Sequence, residues 1–147
     1  MASVRYTYDE VGNRLTETDE TGSLSYAYDD ANQMTRAGVT AYEYDRNGNR
    51  IAETTEGKRI QYQYDGLNQL SGIRDGFGTQ LKYAYDPLGR LIQSERPEWV
   101  NDKHMHPEVT RYSYSGQTLL GEWTGNGSPL AEYYTGNGET VTRRMFG

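Results

Sequence analysis

The sequence predicts an all-β protein in which antiparallel β-hairpin repeats form a curled or spiralling sheet. The first observation is that twelve of the fourteen tyrosines fall in six Tyr-x-Tyr triplets, 16 to 29 residues apart. The second is that Asp directly follows five of the six triplets, and Gly or Asn follows that Asp by three residues. The third is that no segment shows sustained helical periodicity, so we expect a helix content near zero.

Each triplet predicts a β-strand whose two tyrosines lie on one face of the sheet. Successive side chains of a strand point to opposite faces, so residues two apart share a face. Small or polar residues such as Thr7 and Glu43 stand between the tyrosines and suit the opposite face. Aromatic residues favour a half-buried pleated surface. The triplets are Tyr6 and Tyr8, Tyr26 and Tyr28, Tyr42 and Tyr44, Tyr62 and Tyr64, Tyr83 and Tyr85, and Tyr112 and Tyr114.

The Asp after each triplet predicts a tight hairpin turn. Asp is favoured at the first position of a type I turn, and Gly or Asn tolerates the left-handed backbone that closes such a hairpin with a bulge. The returning strand then opens with pairs such as Arg14-Leu15 or Gln69-Leu70. The turn pairs are Asp9 with Gly12, Asp29 with Asn32, Asp45 with Gly48, Asp65 with Asn68, and Asp86 with Gly89.

Looser Gly-containing turns join each hairpin to the next, which predicts a meander of roughly a dozen strands. Open sheets of more than about ten strands tend to curl or split, so this sheet is expected to curl. We divide the chain into five regular repeats at 1–96, an insertion loop at 97–108 and degenerate terminal repeats of the same sheet at 109–147.

The composition excludes several classes of function. The formal net charge is −6 and the sequence pI is about 4.9, which disfavours nucleic acid as a partner. No stretch is apolar enough for a membrane span, and the first residues do not resemble a signal peptide. The chain has no cysteine, which excludes disulfides and thiol chemistry.

The insertion holds the residues best suited to bind a ligand. His104 and His106 would point to one side of an extended strand and form a weak candidate zinc site. Pro97 and Pro107 bracket the segment, so a solvated loop is favoured, and neither a metal nor a cofactor is predicted. Trp99 is the candidate exposed binding aromatic. Both histidines share this loop, and no nucleophile–base pair emerges, so catalysis is not predicted.

The repeat motifs resemble the YD repeats of the RHS (rearrangement hotspot) family. The resemblance rests on Tyr-Asp-x-x-Gly-Asn-Arg-Leu at residues 8–15, the matching stretch at 44–51, and Tyr-Asp-Pro-Leu-Gly-Arg-Leu at 85–91. It covers residues 4 to about 136, and residues 112–123 resemble the degenerate repeats near the end of such shells. The C-terminal core and toxin domain that follow the family's repeats are not found in this sequence, so a fragment, a truncated protein and a stand-alone repeat protein all stay open.

The resemblance implies a long β-sheet that spirals into a hollow shell. In bacterial toxins of this family the shell encloses a C-terminal toxic domain, and the related teneurins use a similar shell in cell adhesion. By resemblance, the chain is a non-enzymatic encapsulation scaffold that is secreted or displayed at the cell surface. Its partners would be neighbouring repeats or a toxin cargo.

Two other functions stay open. The tyrosine rows could offer flat apolar platforms to glycans or a surface to a protein partner, although packing across neighbouring strands is the simpler interpretation. The exposed sheet edges could also pair with further copies of the chain by strand addition, which would make it a self-assembling unit.

Overall fold

The computed structural model describes residues 3–76, 78, 80–97, 99–100, 103–104, 107–136 and 139–145, which form sixteen β-strands. No described residue is helical, as the missing helical periodicity predicts, and so no helix there could span a membrane. The chain divides into two compact units, Met1–Tyr62 and Gln63–Gly147.

The first unit holds six complete strands and most of a seventh. They are β1 (Arg5–Tyr8), β2 (Arg14–Asp19), β3 (Gly22–Tyr28), β4 (Met34–Ala37), β5 (Thr40–Tyr44), β6 (Arg50–Thr55) and β7 (Lys58–Tyr64), whose last residues belong to the second unit. The second unit continues with β8 (Leu70–Asp75), β9 (Gln80–Tyr85), β10 (Leu91–Arg96), β11 (Trp99–Val100), β12 (Lys103–His104), β13 (Glu108–Ser115), β14 (Thr118–Thr124), β15 (Pro129–Gly136) and β16 (Glu139–Met145).

The strand order confirms the predicted antiparallel meander. Fourteen strands follow one another in chain order from β1 to β10 and then from β13 to β16. Within the described residues β1 and β16 each have a single hydrogen-bonded neighbour, so the strand pairing leaves the sheet open. The curling or spiralling of the sheet stays a prediction.

The insertion is more regular than the loop that the sequence predicts. Strands β11 and β12 form a ladder of their own, in which Trp99 pairs with His104. Strand β10 pairs directly with β13, from Gln93 opposite Arg111 to Arg96 opposite Glu108. The segment between them therefore leaves the main sheet and returns without interrupting its hydrogen bonds. The division of the chain at 97 and 108 stays a prediction.

A β-bulge accompanies the tyrosine triplets. In the first hairpin Thr7 lies opposite Thr16 and Tyr8 lies opposite Arg14, so Leu15 has no partner in the ladder. The register shifts in the same place, before the second tyrosine, in the hairpins that contain Tyr28, Tyr44 and Tyr114. An extra residue of this kind bends the strand and increases its twist.

Burial is distributed along the sheet and does not form a separate core. Among the described side chains, Ala52 and Ala131 are the buried apolar residues, and no large side chain is fully buried. Ala52 lies between Glu43 and Gln61 in the ladder, and the Glu43–Arg59 ion pair spans its strand. A single layer of strands has little depth, so small residues alone are completely covered.

Candidate functional site: the tyrosine face

We call the side of the sheet that carries the triplet tyrosines the tyrosine face. Alternation decides its composition: Tyr42 and Tyr44 are half-buried, whereas Glu43 between them is exposed. Cross-strand pairing adds Glu17 to this face opposite Tyr6, and Glu53 opposite Tyr42. The face therefore combines aromatic rings with carboxylates.

The Asp of each repeat holds its turn by accepting backbone N–H groups. In the first turn, Asp9 Oδ1 accepts from Val11 N at 3.1 Å and from Asn13 N at 2.8 Å. The equivalent two bonds recur at 2.9–3.0 Å in the other four turns, which are those of Asp29, Asp45, Asp65 and Asp86. An Asp carboxylate that binds its own turn in this way satisfies donors that the strands leave unpaired.

The residue three places after each Asp has the left-handed backbone that its type predicts. The φ angles are 95° at Gly12, 60° at Asn32, 85° at Gly48, 60° at Asn68 and 79° at Gly89. In the first turn Gly12 N donates to the Asp9 carbonyl oxygen at 3.2 Å, the bond of a type I turn.

The second tyrosine of three triplets binds the hairpin before it. The hydroxyls of Tyr44, Tyr85 and Tyr114 donate to the carbonyl oxygens of Met34, Leu70 and Leu91, each at 2.9 Å. Each acceptor opens the returning strand of the preceding hairpin. Burial raises the pKa of these three tyrosines above the ordinary value of 10.0. The hydroxyls are thus used to join neighbouring repeats.

An arginine between two tyrosine rings makes a second kind of connection, which we call the arginine clasp. The Arg14 guanidinium carbon lies 5.1 Å from the Tyr6 ring centre and 5.3 Å from that of Tyr26, on the next hairpin. Glu17 Oε2 accepts from Arg14 Nη1 at 2.7 Å and from the Tyr26 hydroxyl at 2.9 Å. Cation–π attraction and an ion pair therefore act on one guanidinium.

The clasp recurs 36 residues later. The Arg50 guanidinium carbon lies 5.3 Å from the Tyr42 ring centre and 5.2 Å from that of Tyr62. Arg50 Nη1 lies 3.5 Å from Glu53 Oε2. The first four junctions between hairpins thus alternate between a clasp and a hydroxyl–carbonyl bond, and the fifth is again a hydroxyl–carbonyl bond.

The clasps were missed by the sequence argument, which treated Arg14 and Arg50 only as the first residues of returning strands. A signal was present, because Arg14 and Glu17 recur as Arg50 and Glu53 at the offset that also relates Tyr6 to Tyr42. Comparing pairs of hairpins, instead of single triplets, would have found it.

The turns also contact one another. Asn13 Nδ2 donates to Asp9 Oδ2 in its own turn and to Asn32 Oδ1 in the next, both at 2.9 Å. Arg90 binds Asp86 through Nε at 2.6 Å, and its Nη1 donates to the Gly116 carbonyl oxygen of the following hairpin.

The ligand-binding residues proposed from the sequence are not brought to the tyrosine face. Trp99 and His104 lie on the separate β11–β12 ladder, and their roles stay predictions. His106 lies outside the described residues. Among the residues that the structure describes, no three His, Cys, Asp or Glu side chains are grouped so that they could hold a metal ion.

An open antiparallel sheet of tandem tyrosine hairpins, in which successive hairpins are joined by arginine clasps or by hydroxyl–carbonyl bonds, defines a repeat-built shell segment. The chain belongs to the teneurin YD-shell family, whose model matches residues 2–102. The predicted membership of the YD-repeat family is confirmed. The search of curated proteins found no match.

Solved structures of toxin complexes share the fold. The crystal structure of TcdB2-TccC3 matches with a TM-score of 0.74 and 21% identity over 92% of this chain and 9% of that chain. The TcdB2-TccC3-Cdc42 structure gives 0.72 and 20%, with the same coverage. A Photorhabdus luminescens Tc holotoxin pore gives 0.62 and 17% over 97% of this chain and 10% of that chain. The chain thus spans about a tenth of the length of these structures.

Proposed function

We propose that this chain is a stretch of wall in a YD-repeat shell, a non-enzymatic scaffold that encloses a polypeptide cargo such as a toxin. The observation that carries the proposal is the hydroxyl–carbonyl bond between successive hairpins, made by Tyr44, Tyr85 and Tyr114. These tyrosines, which define the repeat, therefore connect one hairpin of the sheet to the next.

The burial pattern supports a wall. No large described side chain is fully buried, and the triplet tyrosines beyond the first hairpin are half-buried. A repeat that buries its surface only against its neighbours gains stability from being added to an array. Such a sheet can therefore be extended by adding further hairpins with the same motif.

The polar groups of the face support a structural role in place of catalysis. The turn carboxylates accept backbone donors, and Glu17 binds both Arg14 and Tyr26. A carboxylate held in such bonds is stabilised as an acceptor and is poorly placed to transfer protons. The proposal includes a secreted or cell-surface location, as for other shells of this kind.

Exchange of wall segments tests the proposal. Residues 5–96, which contain β1 to β10, replace the ten strands that match them in the TcdB2-TccC3 shell. Protection of the cargo from an added protease is then measured. An equally long segment of another teneurin YD-shell serves as the positive control, and the exchanged segment with Tyr44→Phe and Tyr85→Phe serves as the weakened one.

We expect the exchanged segment to protect the cargo as well as the positive control does, and the double variant to protect it less. A shell that assembles with this segment but leaves its cargo open to protease would overturn the proposal. So would a failure to assemble where the positive control succeeds.

A further inference from the structure

The hairpin of β13 and β14 repeats the geometry of an arginine clasp without the arginine. Tyr112 lies opposite Glu122, as Tyr6 lies opposite Glu17. Tyr133, on the following strand, donates its hydroxyl to Glu122 Oε1, as Tyr26 does to Glu17. The aromatic and acidic parts of a third clasp are therefore present.

A leucine stands at the position of the missing arginine. The second tyrosine of the triplet lies opposite the arginine in both complete clasps, as Tyr8 does to Arg14 and Tyr44 to Arg50. In the third set Tyr114 lies opposite Leu119. The chain thus keeps the receptor for a guanidinium and omits the guanidinium at that position.

Glu122 receives no cation from elsewhere in the described structure. Its carboxylate accepts the Tyr133 hydroxyl, and none of the described Lys and Arg side chains forms an ion pair with it. Arg90, on the preceding hairpin, binds Asp86 and Gly116 and lies 5.0 Å from the Tyr114 ring centre. Among the described side chains, the Glu122 carboxylate therefore has no cationic partner.

An open depression of about 370 Å³ lies against this set. Tyr112 and Glu122 line it together with Ser94 and Thr110, and the Arg96–Glu108 ion pair lies along it. Ser94 stands opposite Tyr83 on the tyrosine face, where Glu17 and Glu53 stand in the first and third hairpins. The Ser94 and Tyr112 hydroxyls share a hydrogen bond at 3.1 Å, and both residues line the depression.

We propose that this depression binds an arginine side chain of a polypeptide partner, with Glu122 as the ion-pair acceptor and the Tyr112 ring as the cation–π surface. The lining carries Glu108 and Glu122 against Arg96, an excess of one negative charge that favours a cation. A planar guanidinium can bind a carboxylate and stack on a ring at the same time, which an ammonium does less well. The Thr110 hydroxyl can accept one of its remaining N–H groups, and the Ser94 hydroxyl, which shares a hydrogen bond with Tyr112, keeps a lone pair for another.

The inference is independent of the proposed wall function, because it concerns one side chain of a partner and not enclosure of a cargo. If the chain is a wall segment, a polypeptide lying along the tyrosine face is a natural source of the arginine. Loss of arginine binding would leave the cargo-protection test unaffected, so the two proposals can fail separately.

Titration of the full chain with the peptide acetyl-Gly-Arg-Gly-amide, followed by amide NMR shifts, tests the site. We expect saturable shifts at residues 94, 110, 112 and 122 and no saturation with the matching citrulline peptide, which has the same shape without the charge. Glu122→Gln should weaken binding about tenfold or more, because a charge-assisted bond is lost. Glu53→Gln, which alters a complete clasp, is the matched control and should leave the affinity unchanged.

A second variant supplies the missing residue. Leu119→Arg places an arginine where Arg14 and Arg50 stand, so it should abolish peptide binding and raise the melting temperature. Equal binding of the arginine and citrulline peptides, or unchanged binding by Leu119→Arg, would overturn the proposal.

The backbone of Arg143 pairs with that of Tyr133, so Arg143→Gln is titrated as well. If Arg143→Gln leaves the affinity for the arginine peptide unchanged, the result supports a site that takes an arginine from a partner. Markedly tighter binding would mean that the chain itself supplies the cation, and it would overturn the proposal.

Discussion

The Tyr44 hydroxyl donates a 2.9 Å hydrogen bond to the carbonyl oxygen of Met34, which opens the returning strand of the preceding hairpin. Tyr85 and Tyr114 repeat this bond with Leu70 and Leu91. Neighbouring hairpins are therefore joined by a side chain in addition to the backbone ladder. In these three triplets the second tyrosine connects two hairpins, and mutation can measure how much that connection stabilises the protein.

Tyr44→Phe should lower the free energy of unfolding by about 1 kcal/mol, because it leaves the Met34 carbonyl without this donor. Tyr8→Phe is the matched control. Tyr8 holds the same place in the first triplet, is 57% exposed, and its hydroxyl forms no hydrogen bond with the described residues. Urea unfolding of both variants measures the difference, and an equal loss in both would contradict the connector role.

Arg50→Gln should also destabilise the protein by about 1 kcal/mol, since it removes two cation–π contacts. Arg46→Gln changes the same charge on an exposed turn residue four positions earlier and should be nearly neutral. If thermal unfolding shifts equally for both, net charge and not the clasp explains the effect. High salt should reduce the loss of stability in Arg50→Gln less than it reduces the contribution of a surface ion pair.

Acidification should weaken the turns. Hydrogen bonds from the side chains of Asn49 and Asn13 hold the pKa values of Asp45 and Asp9 below the ordinary 3.8. Because the native pKa is the lower one, this stability is present above about pH 3.8 and is lost as the pH falls through the native value. The urea midpoint should therefore fall as the pH drops below about 4.

Asp45→Asn distinguishes the effect of the Asp45 charge from the effect of its hydrogen bonds within the turn. Its side-chain oxygen still accepts the backbone N–H groups, but it does not titrate, so stability should depend less steeply on pH below about 4. Urea unfolding from neutral to acidic pH checks this. An acid slope identical to that of the parent would show that other carboxylates control the transition.

Gly121→Ala should cost about 1–3 kcal/mol through overpacking. A Cβ at this residue would overlap the Trp123 indole and lie 2.9 Å from the Ala131 carbonyl oxygen. Gly66→Ala is the control, because a Cβ there meets no atom within 4 Å. Thermal unfolding of the two variants measures the contrast, and a neutral Gly121→Ala would show that the indole moves aside at little cost.

The hairpins could be predicted because their information is local. Each turn lies within the few residues from the Asp to the following Gly or Asn. The residue types at those positions therefore predicted both the residue with the left-handed backbone and the bulge. The clasps could not be found in this way, because Arg14 meets Tyr26 across a strand pair that no single repeat contains. The ladder of Trp99 and His104 was missed because two-residue strands leave no periodicity to detect.

The sequence by itself determined an all-β meander of tyrosine hairpins, since period-two alternation and turn chemistry act over short range. Only the tertiary structure decided how one hairpin holds the next. The register places the Tyr44 hydroxyl at the Met34 carbonyl and Glu122 opposite Tyr112, beside an open depression. Those relationships depend on which strands become neighbours and on where each bulge shifts the register. Both are decided by how the strands pair in the folded sheet.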